Sequence, residues 1–301
     1  MPARRRTVKS STKKTFKLIR LVPVLLLLMF LWFVSRPTED RQIVVAPNGD
    51  SVQVGVFDFS QDRIVSLQIP GSTEVVVAGQ YGTWRIGSVW KLAKSEGLSG
   101  RMLADTTLKS LHIPVDTWSN ESLSGVLEGG VGGSVAFLVN GIGTGLTFGE
   151  RIKILAFSVQ TAKGNRNVVN LDETSFLTSK MLADGENGYV VTGSVPLSIA
   201  SLLASPDTDS KVLRVGIKNS TGLSYTQGSV RELISVVETL GGKVLSVEDL
   251  SAENVDCVVM ARETDSFSKH LSKLIQCDFK KSDTGNFEII IEVGEQFVKR
   301  F

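Results

Sequence analysis

Few residues in this chain carry obvious chemistry. Cys257 and Cys277 are its only cysteines, and His112 and His270 its only histidines. Two thiols and His270 lack the spacing of a zinc finger, so no metal site is expected. If this segment lies outside the cytoplasm, the thiols pair as a disulfide. That closes a loop of about 20 residues and contributes roughly 3 kcal/mol; two buried free thiols are the alternative. His112, between Leu111 and Ile113 at the end of an expected helix, suits a cap or a packing role better than catalysis. No Ser-His-Asp arrangement is visible. Tyr81, Trp84, Arg85 and Trp90 gather aromatic faces and a cation, which can stack on sugar rings, with packing in a helix core as the alternative. Gly129-Gly130-Val131-Gly132-Gly133 lacks the Lys-Ser/Thr of a P-loop and the G-x-G-x-x-G spacing after a strand, so it reads as a tight backbone turn. Asp207-Thr208-Asp209 has the form of a glycosyltransferase metal-nucleotide site, yet it sits in a polar cluster at residues 206–210 and reads as a solvated linker. Asn120-Glu121-Ser122 and Asn219-Ser220-Thr221 match the glycosylation triplet, which matters only in a eukaryotic secretory pathway.

The elements that must position these residues are mixed α/β. Period-2 and β-branched runs at residues 51–59, 63–69 and 74–77 predict three strands after a polar linker at residues 35–42. Helical spacing follows, with Ile86, Val89, Trp90 and Ala93 on one face and Met102, Leu103, Leu108 and Leu111 on the next. Residues 115–118 predict a strand, 150–160 a helix and 167–171 another strand. Beyond the polar cluster the pattern restarts: strand at 212–217, helix stopped by Gly241-Gly242, strands at 243–247 and 255–260, helix at 266–275, strand at 287–293. That βαββαβ order predicts a small ferredoxin-like domain with a split βαβ arrangement.

Charge decides the topology. The first 20 residues hold Arg4, Arg5, Arg6, Lys9, Lys13, Lys14, Lys17 and Arg20 and no acid, while the rest of the chain carries 25 basic against 31 acidic side chains. A mildly acidic bulk has no electrostatic footprint for nucleic acid, so the basic tail points to anionic headgroups. No helix-turn-helix fits into 20 residues. Every residue from 21 to 34 is apolar, and with Lys17 and Arg20 snorkelling the stretch approaches the length of a bilayer span. We therefore expect residues 1–20 to be a cytoplasmic tail, 21–34 a single retained transmembrane anchor and the remainder extracytoplasmic, in the cell membrane. A cleaved signal peptide competes, but no small-x-small site follows Phe33-Val34-Ser35. The apolar stretch at 131–146 is broken by six glycine or asparagine positions and predicts a buried strand or turn rather than a second span.

The chain resembles the LytR-CpsA-Psr proteins of the bacterial cell envelope. Leu213-Arg214-Val215-Gly216-Ile217-Lys218-Asn219-Ser220-Thr221-Gly222 resembles the strand and Asn-x-Thr-Gly turn that open a LytR C-terminal domain, placed here at residues 211–301. Ile64-Val65-Ser66-Leu67-Gln68-Ile69-Pro70 resembles a strand of the catalytic domain, placed at 43–205, and Ile113-Pro114-Val115-Asp116 the Ile-Pro-Ile-Asp segment. After Pro70 the family usually has Arg-Asp, whereas Gly71 and Ser72 stand here; Trp84-Arg85-Ile86-Gly87-Ser88-Val89-Trp90 stands for a Lys-Ile-Asn stretch ending in Tyr. Arg85 keeps a charge and Gly87 removes an amide. The later arginine-rich segment has no counterpart beyond Arg151, Lys153 and Arg166. The family moves glycopolymers from a polyprenyl pyrophosphate lipid to the wall, with arginines and acids holding pyrophosphate and magnesium. The resemblance thus implies a degenerate relative that binds or scaffolds without catalysis and without cofactor. Its partners would be the bilayer and a wall glycan, a polyprenyl-linked precursor or an envelope protein. The alternative is an active phosphotransferase using magnesium with Arg85, Asp116 and Arg151.

Overall fold

The computed structural model describes residues 40–140, 143–204, 212–226 and 228–301. The expected tail and anchor, and the Asp207-Thr208-Asp209 triplet, lie outside the described residues. In chain order the elements are β1 Arg41–Asn48, β2 Ser51–Asp58, β3 Arg63–Ile69, β4 Glu74–Val76, β5 Thr83–Arg85, α1 Ile86–Ser95, α2 Arg101–Leu111, β6 Thr117–Trp118, α3 Leu123–Glu128, α4 Val131–Val139 and α5 Phe148–Gln160. Then follow β7 Arg166–Asn170, β8 Leu177–Met181, β9 Asn187–Val191, α6 Leu197–Leu203, β10 Leu213–Ser220, α7 Gly228–Thr239, β11 Gly242–Asp249, β12 Cys257–Ala261, α8 Ser266–Leu274, β13 Asp278–Lys281, β14 Ile289–Gly294 and α9 Glu295–Arg300. Among the described residues no helix is long and apolar enough to cross a membrane.

The first sheet has the order β6-β1-β2-β3-β7. β1, β2 and β3 form an antiparallel meander, with β6 parallel to β1 and β7 parallel to β3. Its central strands are buried on both faces, which explains their nearly continuous apolar runs. Ile43, Val45, Val54 and Leu67 pack with Ile86, Val89, Trp90, Leu103 and Leu111 of α1 and α2. On the opposite face, Val44, Ala46, Phe57 and Ile64 meet Leu123, Val126, Phe137 and Ile154 of α3 to α5. β1 begins inside what reads as a polar linker, because its outer residues Arg41 and Gln42 are polar although Gln42 is buried.

Residues 131–139 are helical rather than a buried strand or turn. The glycines let this happen: a Cβ on Gly125 or Gly133 would stand 2.3 Å from the other's Cα, so α3 and α4 touch backbone to backbone. α5 opens with a capping box in which Thr147 and Glu150 satisfy each other's amides.

The second sheet has the order β11-β10-β14-β12-β13, so it is not ferredoxin-like. β10 is parallel to both β11 and β14, β12 is parallel to β13 and only β12 and β14 are antiparallel. α7 and α8 therefore each join two adjacent parallel strands in an unsplit βαβ unit. The additional strand is β13, four residues that are mostly charged and exposed and show no alternation. Buried Val215, Ile217, Val259, Ile289 and Ile291 pack with Val230, Leu233 and Val237 of α7 and Phe267 and Leu271 of α8. Cys257 and Cys277 form a disulfide spanning 20 residues. Arg300 lies over it, donating to the Ile275 and Gln276 carbonyls and pairing with Asp256.

Both histidines lie where the two sheets' helices meet. His112 caps α2 with φ 54° and its Nε2 is 3.0 Å from Glu232 of α7. His270 of α8 is 2.5 Å from Asp116, whose other oxygen accepts from the Ile43 amide at 2.7 Å. Leu108 of α2 is buried within the second core.

Candidate functional site

A cleft of about 500 Å³ opens at the end of the first sheet where β3 stops, lined by Asp50, Ser51, Gly71, Ser72, Arg85, Gly87, Ser88 and Lys91. Three local structures build it: the Asn48-Gly49-Asp50-Ser51 hairpin turn, the turn after Ile69 and the first turns of α1. The Thr73 amide and hydroxyl both donate to the Pro70 carbonyl, at 3.0 and 2.7 Å, tightening the second turn. The amides of Ile86 and Gly87 donate to the Thr73 and Gly71 carbonyls at 2.8 and 3.0 Å. These amides at the start of α1 are therefore spent on the protein's own backbone and are not aimed at an anion.

Gly71 and Gly87 stand at close backbone contacts. A Cβ on Gly71 would lie 1.5 Å from the Asp50 carbonyl oxygen, and one on Gly87 would lie 2.2 Å from the same atom. The β1–β2 turn thus fills the space that side chains at 71 and 87 would need.

Arg85 and Lys91 are the cations that line the cleft, and Arg85 is ion-paired. Its Nε and Nη2 donate to Asp184 at 3.0 and 2.8 Å, and Nη2 is also 3.0 Å from Glu186. Both acids sit on the turn of the β8–β9 hairpin, which is tied to the cleft by the Tyr189 amide donating to the Ser72 carbonyl at 3.3 Å. The Glu186 amide first, and then Arg85, hold the Asp184 carboxyl below the usual carboxylate range. This acidic turn neutralises the cleft's arginine from within the chain. Beside Arg85, Trp84 is 42% and Tyr81 38% exposed, and the indole Nε1 donates to the Tyr81 carbonyl at 2.8 Å. That bond fixes the ring and leaves its face accessible.

The other expected residues are elsewhere. Trp90, on α1, is buried in the first core, so it packs rather than binds. Asp116 is held by Ile43 and His270, and Arg151 donates to the Leu138 carbonyl at 2.8 Å while lying over the Phe148 ring. Arg166 caps the carbonyls of Val126 and Leu127. Lys153, on α5, is not among the cleft's residues. Arg85, Asp116 and Arg151 therefore do not converge on one centre. Asn219 is buried, donating to Leu223 and Asp249, and is no glycosylation site. Gly129 is a left-handed helix cap, φ 77°, consistent with a turn. His270 is engaged by Asp116 and the cysteines by each other, and among the described residues no three His, Cys, Asp or Glu side chains gather to hold a metal.

Asp50, Ser88, Lys91, Asp184 and Glu186 escape sequence reading. The signals available were turn signals, Asn48-Gly49-Asp50 and Asp184-Gly185-Glu186, which announce hairpins without saying what they meet.

No protein-family model matches the chain, and no curated protein does. Among solved structures, Bacillus subtilis TagT is similar over 52% of this chain and 86% of its own, at 12% identity and a TM-score of 0.35. A LytR-CPS2A-Psr family protein, YwtF (TagT), solved with bound octaprenyl pyrophosphate lipid, is similar over 53% and 89%, at 11% identity and a TM-score of 0.35. A transcriptional regulator from Enterococcus faecalis is similar over 67% and 88%, at 9% identity and a TM-score of 0.35. Solved proteins of the LytR-CPS2A-Psr family thus match about half of the chain.

Proposed function

We propose that the chain is a membrane-anchored, extracytoplasmic binding protein of the bacterial cell envelope, in which a cleft of the LytR-CpsA-Psr type has become a glycan-binding site without phosphoryl transfer. One observation carries this reading: the Asp50 carbonyl occupies the space in which side chains at 71 and 87 would stand. Phosphoryl transfer needs fixed positive charge on the transferring oxygens and a carboxylate for the metal. With glycine at 71 and 87, and with Arg85 bound to Asp184 and Glu186, the charged groups left to the cleft are one lysine, Lys91, and one carboxylate, Asp50, fewer than a pyrophosphate and its metal require. What the cleft offers is hydroxyls from Ser51, Ser72 and Ser88, groups suited to a sugar chain, while the exposed rings of Trp84 and Tyr81, which precede Arg85 in the chain and do not line the cleft, supply aromatic faces outside it. The anchor reading rests on the apolar run at residues 21–34 and the basic residues before it.

The test is binding of the detergent-solubilised chain to isolated wall material and to a polyprenyl pyrophosphate analogue, with and without magnesium. Retention on wall that ignores magnesium and drops about tenfold in Trp84→Ala is the expected result; tenfold corresponds to about 1.4 kcal/mol, within the range of one aromatic contact. Magnesium-dependent hydrolysis of the analogue, lost in Arg85→Ala, would overturn the reading and make the chain a phosphotransferase.

A further inference from the structure

We propose that the end of the first sheet at which β1 begins lies on the bilayer headgroups, so that the cleft, at the other end, opens away from the membrane. The inference rests on the anchor reading above and adds an orientation to it. Six residue steps separate Val34, the last residue of the apolar run, from Asp40. Whatever their conformation, six steps reach at most about 20 Å. The start of β1 is therefore held within about 20 Å of the place where the apolar run ends.

Several elements share that end. The Phe59 amide donates to the Asp40 carbonyl at 2.9 Å, and the Phe59 ring meets Phe157 of α5 edge-on at 4.7 Å between centroids. Thr161 and Asn165, which follow α5, donate to Asp62 at 3.0 and 3.3 Å. Val159 is 75% exposed there and Lys163 is exposed. Among the acids of this end, Asp58 is buried with Arg41 and Arg63, whereas Asp40 and Asp62 are exposed, Asp62 accepting from Thr161 and Asn165. The reach of the six steps carries the orientation, and Val159 and Lys163 beside it are side chains that the headgroup layer accommodates, the former towards acyl chains and the latter towards phosphate.

The cleft lies at the opposite end. β1 runs eight residues from Arg41 to Asn48, about 23 Å, and delivers the Asp50 turn to the cleft. An anchored molecule thus holds Arg85 well beyond the headgroups, on the side from which a wall polymer would approach. A lipid-linked ligand would have to bring its headgroup group out by that distance.

The experiment uses the full chain in phosphatidylglycerol and phosphatidylcholine vesicles doped with a nickel-chelating lipid. Both native cysteines are in the disulfide, so Lys163→Cys and Asp50→Cys each present one free thiol for a nitroxide label. Both positions are exposed, and Asp50 contributes to the cleft through its backbone. Surface nickel should speed relaxation of the label at 163 several-fold more than that at 50. Equal relaxation, or stronger relaxation at 50, would overturn the orientation while leaving the anchor intact. Release of the protein from the vesicles by alkaline carbonate would overturn the anchor and, with it, the orientation.

Discussion

A Cβ at position 71 has nowhere to go. Gly71→Ala must push the Asp50 turn away, and overpacking of this kind costs about 3 kcal/mol. The urea midpoint should fall accordingly, whereas Ser72→Ala, in the same cleft, should leave it nearly unchanged. The contrast separates backbone crowding from a loss of cleft polarity. Asp58 gives a prediction of another kind. Burial opposes its charge, but hydrogen bonds from Ser60 and Arg41, the charge of Arg41 and the Gln61 amide outweigh burial and hold its pKa below the usual value. A carboxylate with a depressed folded pKa stabilises fully above its unfolded value, near 3.9, and loses that contribution as pH falls through the folded value. Asp58→Asn should therefore lower the thermal midpoint at pH 7, and the gap from the parent should close below about pH 4. A gap that widens on acidification would contradict the assignment.

At the scale of elements, the first sheet was largely legible because its strands advertise themselves. β2 and β3 follow from their period-2 and β-branched pattern, and α1 from the spacing of Ile86, Val89, Trp90 and Ala93. β1 was missed, because polar Arg41 and Gln42 open it inside what reads as a linker and no strand was placed before residue 51. The second sheet was misread where local pattern cannot speak: strand order is fixed by tertiary pairing, and β13 offers four residues, Asp278–Lys281, without alternation. The cleft divides in the same way. Arg85, Trp84 and Tyr81 could be named from their types and nearness in the chain. Asp184 could not, because it meets Arg85 across 99 residues, and Asp116 meets His270 across 154. Leu108 shows the same long reach, as a residue of α2 buried in the core of α7 and α8. Leu108→Ala should cost about 2–5 kcal/mol. Its diagnostic effect should be lost hydrogen-exchange protection in α7 amides, on the far side of the seam. Unchanged α7 protection would show that the two cores are energetically separate.

For the whole molecule, the disulfide, the seam and the last helix act on one region. Cys277 follows Gln276, whose amide group donates to Asp105 of α2 at 3.2 Å, so the crosslink ends one residue from a contact between the two sheets' helices. Reduction should remove about 3 kcal/mol in the chain-entropy picture. A lower urea midpoint in reductant, with Cys257→Ala/Cys277→Ala matching the reduced parent and indifferent to reductant, would confirm that the bond itself is responsible. The packing at Phe301 has a practical side. Phe301 is 5% exposed and stacks on Phe297 at 4.7 Å, while the neighbouring Arg300 is fastened to Asp256 and two carbonyls. A truncation that removes residues 300 and 301 would strip the ring from the second core and the guanidinium from the disulfide it covers. Such a shortened protein should melt at a lower temperature than the parent, and its disulfide should be reduced faster by a mild thiol.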